Sequence, residues 1–356
     1  MRREKVSPDD RALSEQPQVN ARQENEVVAT QLQSLQEHVN REPLDVVPPG
    51  ALIAPPDLYH RALACIGGLA KSATRRDPAA REPVDWDELT KVGRDLASAV
   101  SRERLLVEKV LSGRFEASLV GNMVHTSIIT VEIGTGLAYG QKELEQVAVA
   151  ALLHDVGMFQ LPEVLLNQSG RWTKRQTGVM RLHPRLGADL LKQMGAPDDW
   201  LPAVVAQEHE RANGSGYPAG LRVGEIHEFA QIIGLADRFD ALLRSRSWRR
   251  GLAPYEAVRW ILARERDNFS TRILKSLVER FSLYPVGTRV TMNSGHVGVV
   301  SKLNHGFPLR PVVTLESRNG RNEISTPATV DLSQSPMDYI VRPLDQRPSY
   351  KAARPA

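Results

Sequence analysis

The fold turns on the stretch Ala151-Leu152-Leu153-His154-Asp155-Val156-Gly157. Apolar residues run up to an adjacent His-Asp pair, and a glycine follows. The pattern predicts a helix that ends with an imidazole and a carboxylate side by side. Such a pair suits a divalent metal, because neutral imidazole nitrogen and carboxylate oxygen both ligate Fe, Mn, Zn or Co. A His-Asp dipeptide by itself is a weak motif, so its weight rests on what the rest of the chain supplies.

The helix that delivers the pair is expected over Lys142–Leu153, with Leu144, Val147, Ala148, Ala151 and Leu152 on its buried side. Upstream of it, Ser118–Leu137 reads as a mostly apolar helix with His125 in its middle, stopped at Tyr139-Gly140. Before that, Asp85 looks like an N-cap with Glu88 three residues on. Leu89, Val92, Leu96, Val100, Val107 and Val110 follow at helical spacing. This predicts one long amphipathic helix that packs in the core or joins two copies in a homodimer. A short helix is expected over Leu58–Lys71 and a linker over Thr74–Pro83. Residues 1–50 are rich in polar residues and read as a disordered leader, leaving 51–114 as a group of N-terminal helices.

Downstream, Thr173 and Gln176 form a plausible capping box, and His183-Pro184 comes one helix later. Asp198 or Asp199 is expected to cap a helix running into Gln207-Glu208-His209-Glu210. A glycine-rich loop, Asn213-Gly214-Ser215-Gly216-Tyr217-Pro218, separates it from a long apolar helix that holds Phe229, Ile232, Ile233 and Phe239 and carries Asp237. Further helices start at Ala253-Pro254, with Pro at the first helical position, and near Thr271. At Pro285 the period changes. Thr288–Met292, Val297–Ser301 and Val312–Glu316 are β-branched and alternating, with turn signals at Asn293-Ser294-Gly295 and Asn319-Gly320. Residues 284–345 are thus expected to form a small β module of three to five strands, and 346–356 a flexible tail. The fold class is mainly α, with this small C-terminal β module.

The chain has 356 residues, of which 41% are hydrophobic and 25% charged, values of a soluble globular protein long enough for a full core. One cysteine, Cys65, excludes an internal disulfide framework and fits a reducing cytosol, so a cytoplasmic location is expected. No apolar run is long enough to span a bilayer. The polar N-terminus does not read as a secretory signal. A formal charge of +4 does not argue for a nucleic-acid polymer as partner.

His125, His154, Asp155, His183, Glu208, His209 and Asp237 are set into apolar helices or at their ends. Buried histidines and carboxylates are costly unless paired or bound to metal. For a single one, a hydrogen-bonded core residue is the simpler reading. Seven on successive helices are harder to explain that way, and inward ligands from several helices are how bundles build two-metal centres.

In this order, the residues resemble the HD-GYP family of HD-domain metal-dependent phosphohydrolases. Leu152-Leu153-His154-Asp155-Val156-Gly157 looks like its HD motif. His209-Glu210-Arg211-Ala212-Asn213-Gly214-Ser215-Gly216-Tyr217-Pro218 looks like its second signature. Asp237–Ala241 and on to Arg246 is similar to its closing segment. The resemblance covers roughly Phe115–Phe281, so residues 115–283 are expected to form an HD-type helical domain. Tyr284-Pro285-Val286-Gly287 and the β module are similar to an extension of some members. The resemblance implies hydrolysis of cyclic di-GMP to the linear dinucleotide pGpG at two divalent metals, Fe or Mn, through a bridging hydroxide. It implies His125, His154, Asp155, His183, Glu208, His209 and Asp237 as ligands, with His154 and Asp155 at the catalytic centre and Asp155 as bridge. Arg246 is implied as a phosphate clamp. Gly216, Tyr217 and Pro218 are implied as the loop that approaches the substrate or a partner. The implied partners are cyclic di-GMP and, as a protein, a diguanylate cyclase or other signalling protein.

Three positions depart from the family pattern. Glu208 stands where the family has histidine, which adds a negative charge and a harder ligand. Met158 stands where it has a phosphate-contacting lysine, a loss of roughly 1.5–3 kcal/mol. Gly121 stands where three-metal members carry glutamate, so two metals are expected. Met158 and Glu208 keep a second reading open, a module that binds the dinucleotide or a partner without turnover. A third reading is hydrolysis of another nucleotide.

Overall fold

In the computed structural model, residues 55–75, 77–111, 118–166, 172–245, 250–281, 284, 286–304, 307, 310–318, 322–323 and 328–344 are described. The expected leader and tail lie outside the described residues, as do Arg246 and the Asn319-Gly320 turn. Among the described residues no helix is long and apolar enough to cross a membrane.

The helices are α1 (Pro55–Ala73), α2 (Trp86–Arg102), α3 (Leu105–Leu111), α4 (Leu119–Gly136), α5 (Gln141–Leu153), α6 (Glu163–Leu166), α7 (Lys174–Met180), α8 (His183–Gln193), α9 (Trp200–Gln207), α10 (Glu228–Leu243), α11 (Pro254–Arg264) and α12 (Thr271–Arg280). The strands are β1 (Arg289–Met292), β2 (His296–Lys302), β3 (Val312–Arg318), β4 (Asn322–Glu323), β5 (Thr329–Asp331) and β6 (Ile340–Pro343). The chain is mainly helical with a small C-terminal antiparallel sheet. Of the described residues, 55–251 and 265–276 form one compact unit, and 252–264 with 277–344 form a second.

Local signals start several helices. The Asp85 side chain accepts the Glu88 N–H and caps α2. Thr173 and Gln176 form the reciprocal box at the start of α7. Ser118 accepts the Gly121 N–H and caps α4. At α9, Asp199 holds the cap position, but its side chain makes no capping bond, against expectation.

A second expectation also fails: the amphipathic stretch after Asp85 is not one helix. Glu103 is extended (φ −138°, ψ 133°) and separates α2 from α3. The break has a physical reason on the neighbouring helix. Glu132 is fully buried in α4, and Arg104 reaches it at 2.5 Å. A buried carboxylate needs that partner, and the turn after Arg102 still leaves Leu106, Val107 and Val110 in the core.

α4 and α5 form the centre of the first unit, packed against α2 and α10. Their inward faces carry Val124, Ile128, Ile129, Val147, Leu152 and Leu153, all fully buried. After α5 the chain makes a tight turn over Val156–Gln160 that lies against α8. Gly157 permits this. A Cβ there would overlap the His183 carbonyl and the Gly187 backbone. The glycine thus lets the end of α5 touch the start of α8, and so puts the His-Asp pair next to His183.

Among the described residues the second unit holds a six-stranded antiparallel sheet, one strand more than the expected maximum, because β4 and β5 both pair with the same edge of β3. The order is β4-β3-β2-β1-β6. Val290 lies opposite Gly298, and Val300 opposite Val313. Alternation buries Val290, Met292, Val300, Val313, Leu315, Leu332 and Ile340 in one small core.

Candidate metal centre

His154 is the C-cap of α5. Its Nδ1 lies 2.7 Å from the Ala151 carbonyl oxygen, one turn back. His183 opens α8 and repeats the arrangement, with Nδ1 2.7 Å from the Met180 carbonyl oxygen. A carbonyl oxygen only accepts, so each Nδ1 carries a proton. That leaves Nε2 of each ring facing inward, where a metal in place of a second proton would meet its lone pair, the tautomer a metal ligand needs.

Carboxylates meet those two nitrogens. Asp155 Oδ1 lies 3.3 Å from His183 Nε2, and its Oδ2 3.5 Å from His154 Nε2. Glu208, at the end of α9, places Oε1 3.2 Å from His183 Nε2 and Oε2 4.0 Å from His154 Nε2. Asp237, on α10, has Oδ1 3.9 Å from His154 Nε2. His209 Nε2 is 3.0 Å from His183 Nε2. One ligating atom each from Asp155, His183, Glu208 and His209 lie within 4.8 Å of one another.

The electrostatics favour a cation. Burial alone would push His154 and His183 down. The neighbouring carboxylates, chiefly Asp155 and Glu208, more than offset it and raise His154 to about 10 and His183 to about 9. Burial works against ionised Asp155 too, yet His154 and His183 hold it well below the usual carboxylate range. Burial pushes Glu208 up to about 7, against the pull of His154 and His183. His209 is driven well below the usual histidine range by burial, then by His183 and Arg211.

His154 Nε2 and both Glu208 oxygens are buried without a hydrogen-bond partner. The Glu208–His183 approach is close, but it lacks the alignment of a hydrogen bond. Orphaned buried carboxylate oxygens are costly. A divalent ion among these atoms would satisfy them, so the donor set fits a metal.

The structure thus brings His154, Asp155, His183, Glu208, His209 and Asp237 together. It places His125 differently. Its Nε2 lies 2.8 Å from the Tyr59 hydroxyl, and its Nδ1 3.6 Å from Asp240 Oδ1. Asp240 in turn pairs with Arg244 one helical turn on. Burial, then Arg244, lower His125 to about 3, which keeps the ring neutral. Tyr59 comes from α1 and carries no motif, so nothing in the sequence marks it. Asp240 stands one turn after Asp237, a spacing that could have marked it.

The loop after α9 is tied down by Glu210, a role the sequence reading missed. Its carboxylate accepts the N–H groups of Ala219 at 2.6 Å, Gly220 at 3.1 Å and Leu221 at 2.8 Å. The Tyr217 N–H donates to the His209 carbonyl at 3.1 Å. Gly216 packs against the backbone of His209–Arg211, where a Cβ would overlap main-chain atoms. The Tyr217 ring then stacks on His209, with centroids 4.7 Å apart and planes 21° apart. Pro218 follows on the exposed side.

A family profile described as HD domain matches residues 106–273, and one described as KOW domain associated with HD domain matches 289–351. The cyclic di-GMP phosphodiesterase PA4108 of Pseudomonas aeruginosa is 26% identical over 282 residues, 78% of this chain and 68% of that protein. The cyclic di-GMP phosphodiesterase response regulator RpfG of Xanthomonas campestris is 35% identical over 40% of this chain and 38% of its own length. A cyclic di-GMP phosphodiesterase of Thermotoga maritima is 31% identical over 38% of this chain and 37% of its own. The chain therefore spans well under half the length of the latter two. The His154-Asp155 pair, the ligand cluster and the clamped Gly-Tyr-Pro loop all lie within the stretch matched as HD domain, and over residues 106–273 this chain carries an HD domain.

Proposed function

We propose that this chain is a metal-dependent phosphodiesterase that hydrolyses cyclic di-GMP to linear pGpG, with slow further cleavage to GMP. The observation that carries the reading is the setting of Asp155, which offers one oxygen to the side of His183 and the other to the side of His154. A carboxylate so placed suits a bridge between two ions. His154, Asp155, His183, Glu208, His209 and Asp237 are the ligands we assign, and Fe or Mn suits their nitrogen and oxygen donors.

Two such ions would supply Lewis-acid charge and a water acidic enough to serve as nucleophile near neutral pH. The chain's own residues do the rest. The Nδ1 bonds of His154 and His183 keep both rings oriented. Three carboxylates set a negative site that retains cations. Tyr217 covers His209 and limits its access to water. In the overall step, water oxygen bonds to phosphorus, the P–O3′ bond breaks, and the ribose oxygen leaves with a proton.

Two ions rather than three fit the neighbouring corner. Gly121 offers no ligand there. Asp240 is already paired with the Arg244 guanidinium, and the Tyr59 hydroxyl takes His125 Nε2.

The test is metal analysis alongside hydrolysis of cyclic di-GMP with added Mn or Fe(II). We expect about two metals per chain and a linear product, both lost in His154→Ala and Asp155→Ala. The second reading, a module that binds the dinucleotide without turnover, is favoured by one observation. Met158 packs on the apolar cluster of Leu161, Leu165 and Met180, so the expected phosphate-contacting lysine is replaced by a core-type contact. Bound metal and bound nucleotide without turnover would select it.

A further inference from the structure

A dinucleotide with two phosphates needs cations, and the metal centre itself is rich in carboxylates. Met158 supplies none. It packs with Met180, at the end of α7. The very next residue is Arg181, whose side chain is exposed. Its guanidinium carbon sits over the Tyr217 ring, 5.0 Å from the centroid. Tyr217 stacks on His209 at 4.7 Å and meets the His183 ring edge-on at 6.4 Å. Arg181 is also only two residues before His183 along the chain.

We infer that Arg181 is a substrate-binding residue that contacts a phosphate of the cyclic dinucleotide, supplying the positive charge that position 158 lacks. The inference rests on the phosphodiesterase reading of the same site. The ring of Tyr217 parks the guanidinium beside the metal ligands without neutralising it, since a cation–π contact leaves the N–H groups free to bond. The planar fork matches two phosphate oxygens. Among the described residues no carboxylate pairs with Arg181, and its exposed side chain can reach an incoming anion. This also gives the Tyr217 loop a purpose. Glu210 holds the loop, the loop holds the ring, and the ring positions the arginine.

The test compares wild type, Arg181→Ala, Arg181→Lys and the control Arg185→Ala, which removes an equal exposed charge four residues on. Each metal-loaded protein is assayed with cyclic di-GMP for KM and kcat and titrated with pGpG, and its metal content and Tm are measured. Loss of one charge-assisted contact predicts about a ten- to hundredfold rise in KM and in the pGpG Kd for Arg181→Ala. Arg181→Lys should recover part of that, and Arg185→Ala should stay within twofold of wild type. Metal content and Tm should not move. Values for Arg181→Ala within twofold of wild type would overturn the inference. So would a loss that tracks with lost metal or lowered Tm, which marks a structural role.

A wild type inactive on cyclic di-GMP refutes the substrate reading separately. The same comparison is then read on cyclic di-AMP and the mixed cyclic dinucleotide. A defect of Arg181→Ala on whichever binds upholds the phosphate contact. A wild type that binds none of them overturns it.

Discussion

Asp155 Oδ1 stands 3.3 Å from His183 Nε2, across the junction between the end of α5 and the start of α8. The residues are far apart in sequence, and the contact exists because the intervening turn is pressed onto α8 at Gly157. The other oxygen of Asp155 faces His154. Replacing Asp155 with Asn keeps the shape but removes the charge and one anionic oxygen. Changes to groups one layer out cost metal sites roughly 10–100-fold in affinity. For Asp155→Asn we expect a loss above about 100-fold, measured by competition with a chelating dye.

Gly157→Ala should damage the same junction without touching a ligand. The added methyl has to displace the His183 carbonyl or the Gly187 backbone, neither of which is a flexible side-chain end. Overpacking of this kind costs about 1–3 kcal/mol. A urea melt should show that loss, and metal affinity should fall with it. Unchanged stability would mean the junction is looser than described.

Glu210→Ala removes the acceptor of three loop N–H groups. Each buried donor left unmet costs about 1–3 kcal/mol, though water can reach part of this loop. We expect about 3 kcal/mol of destabilisation and faster hydrogen exchange at Ala219, Gly220 and Leu221. Exchange at those amides equal to wild type would contradict the clamp.

Arg61 ties α1 to α2 through Glu88, at 2.7 and 3.0 Å, and Asp95, at 2.6 Å. These groups are partly exposed, so Arg61→Ala should cost only about 1 kcal/mol, less at high salt. The hydrogen bond from Arg61 lowers the Glu88 carboxyl below its ordinary value. A depressed carboxylate stabilises the fold above its unfolded pKa, and that contribution fades as pH falls through the folded value. Acid unfolding of wild type and Arg61→Ala should therefore converge below about pH 4. Curves that stay parallel there would refute the linkage.

Cys65 is half-buried on α1, and burial, with Glu88 adding, pushes its thiol up to about 11. Only the thiolate reacts with iodoacetamide. Alkylation at pH 8 should run about two decades slower than for a free thiol with pKa near 8.5, and rise about tenfold per pH unit up to pH 10. A rate at pH 8 like that of a free cysteine would contradict this.

Where single residues carry a local signal, the sequence reads well. Asp85 with Glu88, Thr173 with Gln176, and Pro254 each start the helix they announce. Alternation in the β-branched runs marks β1, β2 and β3. What escapes is decided by partners distant in the chain. Nothing near Glu103 reports that Arg104 has a buried Glu132 to meet. Short β4 and β5 exist because β3 offers them an edge. His125 carries the same apolar setting as the other candidate ligands. Its contacts with Tyr59 and Asp240 depend on how α1 and α10 pack, which no local pattern encodes. Glu210 was visible as a residue, but its three acceptor bonds appear only when the loop folds back.

The central claim is that the cluster of Asp155, His183, Glu208 and His209, with His154 and Asp237, is a working metal centre. The most direct measurement is metal stoichiometry and cyclic di-GMP turnover on one preparation of the full chain, before and after chelation. The account predicts about two Fe or Mn per chain, linear pGpG as product, loss of both on chelation, and return of both when Mn or Fe(II) is restored. A chain that takes up neither ion, or that cleaves the dinucleotide equally well without them, would contradict it.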